Sequence, residues 1–236
     1  MPKIYSIEGN IGSGKSTLIK FMKKNIKWLN HRKIIYLQEP IQTWESFTDN
    51  SENIIEKFYE NQKEWAFSFQ MMAYISRISQ LKKIVRKYPQ SSYIIITERC
   101  IETDKNVFAK MLYDDDKIHP INYQIYMKWF DEFVYDIPID RYIYLKTEPE
   151  ICLQRIVKRD RKGETISLDY LKKCNLYHNN WLDDKKNKLV IDVTKKMSVD
   201  IFNIWVNDII EYIGNNINTK NEELPDNTIL TSNHFC

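Results

Sequence analysis

A chain of 236 residues, 43% hydrophobic and 28% charged, suits one globular α/β domain with a sizeable core, not a disordered or fibrous chain. Its net charge of +3, spread evenly, argues against a nucleic-acid surface. Cys100, Cys152, Cys174 and Cys236 are scattered without a C-x-x-C, which argues against a structural zinc site and gives no disulfide framework, and no apolar run approaches the length needed to span a bilayer. A strand begins within a few residues of the N-terminus and leaves no room for a signal or transit peptide, so the expectation is a soluble cytoplasmic protein.

The first strand is expected over residues 3–8. It runs into Gly9, Asn10, Ile11, Gly12, Ser13, Gly14, Lys15, Ser16 and Thr17, which fit the phosphate-loop pattern G-x-x-x-x-G-K-[ST] in its strand-before, helix-after setting. Three of the five glycines in the chain lie in this loop. Glycine serves where backbone must bend sharply or approach a ligand closely, and the loop N–H groups then cradle phosphate at a helix N-terminus. Lys15 is placed to reach the β- and γ-phosphates and the Ser16 hydroxyl to hold Mg²⁺, so the chain is expected to bind a nucleoside triphosphate.

A helix over 16–30 and a strand over 33–38 follow, ending at Glu39-Pro40. Glu39 is either a solvated loop carboxylate or a proton acceptor for a nucleophilic hydroxyl. A long helical region over 51–88, broken near Asn61, carries Gln70, Ala73 and Arg77 on one face, with Trp65, Phe67 and Phe69 around its first turns. A packed amphipathic face and a glutamine that reads a base edge both suit that pattern. The very apolar strand over 93–97 ends at Glu98-Arg99, a structural ion pair or a pair serving Mg²⁺ and a transferring phosphoryl group.

Helices over 104–113 and 123–136 lead to a strand over 142–146 and a helix over 149–159. Arg155, Arg159 and Arg161 then cluster at a helix end and loop, as a solvated basic terminus or as a lid over phosphates. A helix over 168–185, a strand over 188–192 and a helix over 199–213 complete the pattern. The alternation predicts a three-layer α/β sandwich around a five-stranded parallel sheet, with ligands beyond the carboxyl ends of the strands. Residues 1–214 are expected as one domain with its lid near 155–166, and the polar stretch 215–236 as a flexible tail.

Taken in order, these motifs resemble the deoxyribonucleoside kinases of the deoxycytidine/deoxyguanosine kinase type. The resemblance runs from about Ile4 to Val193, through the phosphate loop, Glu39-Pro40 with Trp44, Phe69-Gln70 with Ser76-Arg77, Glu98-Arg99, Asp104 with Val107-Phe108-Ala109, the arginine lid, and Leu168-Asp169-Tyr170-Leu171. Cys100 stands where that family commonly has serine. The resemblance implies a P-loop kinase fold, a homodimer, and Mg²⁺ with ATP or another nucleoside triphosphate as donor. It makes Glu39 the base for a nucleoside 5′-hydroxyl, steadied by Arg99, with Glu98 serving Mg²⁺ or standing in as proton acceptor. Trp44, Phe69 and Phe108 border the nucleoside, and Gln70 reads the base. Tyr59 and Glu164 bind the sugar 3′-hydroxyl, the three lid arginines cover the triphosphate, and the turn from Asp192 lies near its adenine. Arg77 and Asp104 favour deoxycytidine or purine deoxynucleosides over thymidine. Two rivals remain: a monophosphate kinase of the thymidylate-kinase type, and a catalytically silent structural relative.

Overall fold

The computed structural model describes residues 1–89, 91–134, 137–195 and 198–218. Strand β1 (Lys3–Glu8) lies inside the sheet, parallel to β6 (Tyr93–Glu98) on one side and β7 (Arg141–Lys146) on the other. Strand β3 (Arg32–Leu37) pairs in parallel with β6, and β8 (Lys188–Asp192) with β7. All five expected strands are therefore present, and their carboxyl ends point the same way.

Among the described residues the sheet has six strands, not the expected five, because the two-residue β2 (Trp28–Leu29) pairs antiparallel with β3. The helix expected over 16–30 is correspondingly shorter: α1 spans Lys15–Asn25. Asn30 and His31 both adopt positive φ, 46° and 60°, which turns the chain in a two-residue hairpin. Positive φ at two central residues matches the twist of flanking strands, and asparagine tolerates it well.

Alternation along the strands builds the layers. Tyr5, Ile7, Ile94, Ile96, Ile143 and Leu145 face one way, onto α1 and the helix α10 (Val199–Asn218) through Leu18, Trp205, Ile209 and Ile213. Ile4 and Ile95 face the other way, onto Tyr74, Ile78, Tyr126 and Phe130. Those residues belong to α4 (Gln62–Lys87) and α7 (Pro120–Phe133). Residues 215–218 continue α10, with Ile217 buried against the core; the remainder of the expected tail, residues 219–236, lies outside the described residues.

The break near Asn61 separates α3 (Ile54–Glu60) from α4, and the Asn61 side chain caps α4 by accepting from Glu64 N at 3.4 Å. The helical region starts later than residue 51, because Thr48–Asp49 (β4) and Glu52–Asn53 (β5) form a small hairpin, and Asn53 caps α3 in a capping box with Glu56. After β6 the chain forms α5 (Ile101–Thr103), a π-helical turn (Asp104–Ala109) and α6 (Lys110–Asp114), where one regular helix is expected over 104–113. Helix α7 begins at Pro120, earlier than expected, since proline loses no bond at a first helical position and His119 caps the end. The expected end at residue 136 lies outside the described residues. Helix α2 (Ile41–Glu45) follows Pro40, and α8 (Pro149–Arg159) and α9 (Leu168–Asp183) flank the basic loop. Among the described residues no helix is long and apolar enough to cross a membrane.

Candidate active site

The phosphate loop joins β1 to α1 at the carboxyl end of the sheet. Gly14, with φ 103°, opens α1, and among the described residues no side chain caps it. Gly9 has φ 142°, and a Cβ there would meet Leu145 O at 2.6 Å and Ser13 Oγ at 2.8 Å. Gly9→Ala is therefore expected to displace the loop, costing about 1–3 kcal/mol and most of the nucleotide affinity. A thermal melt with and without ADP checks this, and an unchanged ADP-induced shift in Tm counts against it.

Lys15 is buried, and its ammonium donates to Gly9 O at 2.9 Å and Asn10 O at 2.7 Å. Burial, helped by Arg99, pushes its pKa down to about 7. Phosphates placed against this ammonium would raise that pKa again, so donor binding is expected to take up protons and weaken as pH rises above 7. Calorimetry of ADP binding in buffers of different ionisation enthalpy tests it; a Kd and an enthalpy indifferent to pH and buffer would contradict it. The Ser16 hydroxyl donates to Glu98 Oε1 at 2.5 Å, which joins the loop to the end of β6.

Four charged side chains form one network, with Arg77, Arg99 and Asp104 buried and Glu39 partly buried. Glu39 Oε1 accepts from Arg99 Nη1 at 2.6 Å and from Arg77 Nη2 at 3.0 Å. Arg77 also holds Asp104 through Nε at 2.9 Å and donates Nη1 to Glu98 O at 2.8 Å. Arg99 reaches Gly9 O through Nη2 at 3.3 Å, and its backbone has φ 59°, a costly left-handed setting for a side chain of this size. Burial alone would raise the Glu39 pKa, but Arg99, Arg77 and Lys15 outweigh it and hold the carboxyl at about 2. Burial is likewise overcome at Arg77, which Asp104 and Glu39 hold firmly protonated.

This network opens into a cavity of about 870 Å³ that Ile11, Gly12, Gly14, Lys15, Ser16 and Thr17 also line. Gly9, Asn10 and Ser13 lie behind the lining and build the loop: Asn10 Nδ2 donates to Leu171 O at 2.9 Å, and Ser13 O accepts from Arg155 Nη1 at 3.1 Å. The aromatic wall is Trp44, Phe69 and Phe108. Trp44 meets Phe69 edge-on at 5.8 Å, Phe58 stacks on Phe69 at 4.5 Å, and the Arg99 guanidinium lies over Phe108 at 5.1 Å. Trp44 is fixed by its indole N–H, which donates to Ser76 Oγ at 2.8 Å. Gln70 is 2% exposed, and its Oε1, like Arg99 Nε, has no protein partner among the described residues. Buried polar atoms left this way inside a cavity are suited to a polar ligand.

Tyr59, Arg155, Arg159, Arg161 and Glu164 line the same cavity. Glu164 is paired with Arg159 and, at 3.6 Å, with Arg161, while Lys162 reaches Glu56 of α3 at 2.9 Å. Asp192, like Gly9, Asn10 and Ser13, is not among the residues that line the cavity. It is exposed and accepts from Thr194 N at 2.9 Å, and Arg155 joins the turn that follows it to the phosphate loop by donating Nη2 to Val193 O at 2.7 Å and Nη1 to Ser13 O. Tyr170, which meets Tyr59 edge-on at 6.5 Å, and Phe58 also line the cavity, although no role is assigned to them from sequence. Each reads as one apolar position of an amphipathic helix, so only packing reveals which face it serves.

A phosphate loop after the first strand of a mixed, mainly parallel sheet, with acidic and basic groups collected at the strand ends, defines an enzyme of the α/β P-loop kinase class. The family model for deoxynucleoside kinases matches residues 5–218. The chain is 37% identical over 186 residues to a probable deoxycytidine kinase of fowlpox virus, covering 77% of this chain and 72% of that protein. It is 30% identical over 220 residues to deoxycytidine kinase 2 of Gallus gallus, covering 84% and 81%. It is also 29% identical over 222 residues to the mitochondrial deoxyguanosine kinase of Xenopus laevis, covering 86% and 81%. The chain belongs to the deoxynucleoside kinase family.

Proposed function

We propose that this kinase transfers the γ-phosphoryl group of ATP, or of another nucleoside triphosphate, to the 5′-hydroxyl of a deoxyribonucleoside, taking deoxycytidine or a purine deoxynucleoside ahead of thymidine. The observation that carries this reading is the Glu39–Arg99–Arg77–Asp104 network opening into the same cavity as Lys15 and the phosphate loop. The base lies between Trp44, Phe69 and Phe108, with its polar edge toward Gln70. Tyr59 and Glu164 take the sugar 3′-hydroxyl. The donor phosphates rest on the loop N–H groups, Lys15, Arg155, Arg159 and Arg161, and the turn after Asp192 borders the donor base.

The bond from the 5′-oxygen to the γ-phosphorus forms as the bond to the β,γ-bridging oxygen breaks, giving a deoxynucleoside monophosphate and ADP. Arg99 steadies the 5′-oxygen, and Glu39 receives its proton. The Glu39 pKa of about 2 makes this carboxylate a weak base, which suits a loose transfer in which the proton leaves late. Most of the acceleration then comes from position and fixed charge.

Ser16 Oγ and Glu98 Oε1, 2.5 Å apart beside the loop, are hard oxygen donors of the kind Mg²⁺ accepts alongside phosphate oxygens and water. Those two residues would hold the ion, which when bound supplies charge neutralisation to the β- and γ-phosphates.

The reading includes a homodimer. Ile121, Ile125 and Trp129 of α7 and Ile75 of α4 are exposed apolar residues, and the Tyr74 hydroxyl joins the two helices by donating to Trp129 O at 2.8 Å. Trp129→Glu is expected to halve the mass seen by sedimentation; an unchanged mass removes this face as the interface. It also includes a cytoplasmic location, which suits the buried free thiols of Cys100, Cys152 and Cys174.

Steady-state phosphorylation of dC, dA, dG, thymidine and dTMP with Mg-ATP tests the whole reading. Turnover of dC or a purine deoxynucleoside above thymidine supports it, and thymidine in the lead removes the base preference. Phosphorylation of dTMP alone replaces the acceptor with a monophosphate, and silence toward every acceptor removes the catalytic reading.

A further inference from the structure

Glu8 is 0% exposed at the end of β1, one residue before Gly9, and none of the steps above uses it. The Ser6 hydroxyl donates to its Oε1 at 2.5 Å, and the Thr103 hydroxyl to its Oε2 at 2.6 Å. Both partners are themselves fully buried neutral groups, and burial pushes the pKa of the Glu8 carboxyl up. A buried carboxyl in such surroundings is costly, and an apolar residue would fill the space at less expense to stability. What it reaches is therefore informative.

Thr103 is the last residue before the π-helical turn that starts at Asp104. Its Oγ1 also accepts from Cys100 N at 3.4 Å, which ties the turn to the residue after Arg99. Turns of the π type are uncommon and recur where a side chain must be set for function. The contacts close a ring that begins and ends at the phosphate loop. Glu8 binds Thr103, the next residue Asp104 binds Arg77, Arg77 binds Glu39, Glu39 binds Arg99, and Arg99 returns to Gly9 O. The Arg99 amide closes it again by donating to Ile7 O at 3.0 Å. Glu8 is the member that joins strand β1 to the turn carrying Asp104.

We propose that Glu8 is a positioning residue: through the Thr103 hydroxyl it sets Asp104 against Arg77 and so holds the base-reading side of the cavity in register with the phosphate loop. This assignment rests on the deoxynucleoside kinase reading above. It predicts an effect confined to the nucleoside side, because the loop keeps its own bonds from Lys15 and Arg155.

The test compares Thr103→Val, Glu8→Ala, their combination and Glu8→Gln. Losing one buried hydrogen bond should raise the KM for dC about tenfold and shrink the preference for dC over thymidine by a similar factor, with the KM for ATP within about twofold. The double variant should be no worse than the worse single variant, since both cut the same link. Glu8→Gln should recover most of the loss, because a carboxamide can accept from one hydroxyl and donate to the other. A crystal structure of Thr103→Val should show the Arg77–Asp104 pair opened from its 2.9 Å contact.

Equal losses toward dC, thymidine and ATP, additive single effects, or an unmoved Arg77–Asp104 pair would each overturn the assignment. A wild-type enzyme silent toward every nucleoside would remove the kinase reading instead. The geometry of Asp104 in the Thr103→Val crystal would still decide the role of Glu8.

Discussion

Replacing Glu39 with glutamine is expected to lower kcat by about 10²–10⁴-fold, the range lost with a positioned proton acceptor. Binding of ADP should change little, because the loop and Lys15 are untouched. Glutamine keeps the size of the side chain and one carbonyl oxygen for Arg99, so the fold and the acceptor pocket should persist. Single-turnover kinetics and ADP calorimetry on the same preparation check both halves, and near-normal turnover would transfer the proton to Glu98. The pKa sharpens the expectation. Glu39 is held at about 2 against an ordinary 4.5, so it stays ionised through any assay near neutrality and imposes no acid limb on kcat/KM there. The same depression means the pairing contributes stability that is fully present above pH 4.5 and is lost as pH falls toward 2.

Removing Arg77 should have the largest effect on stability, and removing it together with Asp104 the largest effect on specificity. In Arg77→Met, Asp104 remains 2% exposed with its cation gone, and an orphaned buried charge of this kind costs about 3–5 kcal/mol. At roughly 2–4 °C per kcal/mol for a chain of this size, a thermal melt would register it clearly. Arg77 also donates to Glu39 and to Glu98 O, so its loss should raise the Glu39 pKa and reduce turnover. Arg77→Met combined with Asp104→Ala removes both charges and should recover much of the stability. It also clears polar atoms from the cavity beside Gln70, so thymidine should gain on dC by about tenfold or more in kcat/KM. An unchanged dC-to-thymidine ratio in a well-folded double variant would detach this pair from base choice.

Much of this was readable along the chain because the signals were local. The apolar strands over 93–97 and 142–146 are buried on both faces and announce themselves by composition. The phosphate loop is contiguous, and its glycines mark where the backbone must bend. Where the structure differs from the sequence expectation, the local signal is weak. Residues 26–30 look helical in composition, yet Asn30 and His31 form a turn that lets Trp28–Leu29 pair with β3. A helix over 104–113 is legible, but its π-helical turn is not, and the contacts made there by Thr103 and Asp104 reach residues distant in sequence. Tyr170 and Glu8 gave no local sign of their place, one resembling a helix-face apolar residue and the other the polar end of a strand.

By itself the sequence determined the alternating α/β order, the phosphate loop and the identities of the charged groups at the strand ends, because periodicity, glycine placement and motif spacing are properties of neighbouring residues. Only the tertiary structure decided that Glu39, Arg77, Arg99 and Asp104 share one network, that Asp192 stays outside the cavity, and that Glu8 joins the phosphate loop to Asp104. Those contacts link residues tens of positions apart, and the burial that sets their charge exists only after the sheet and its helices have packed.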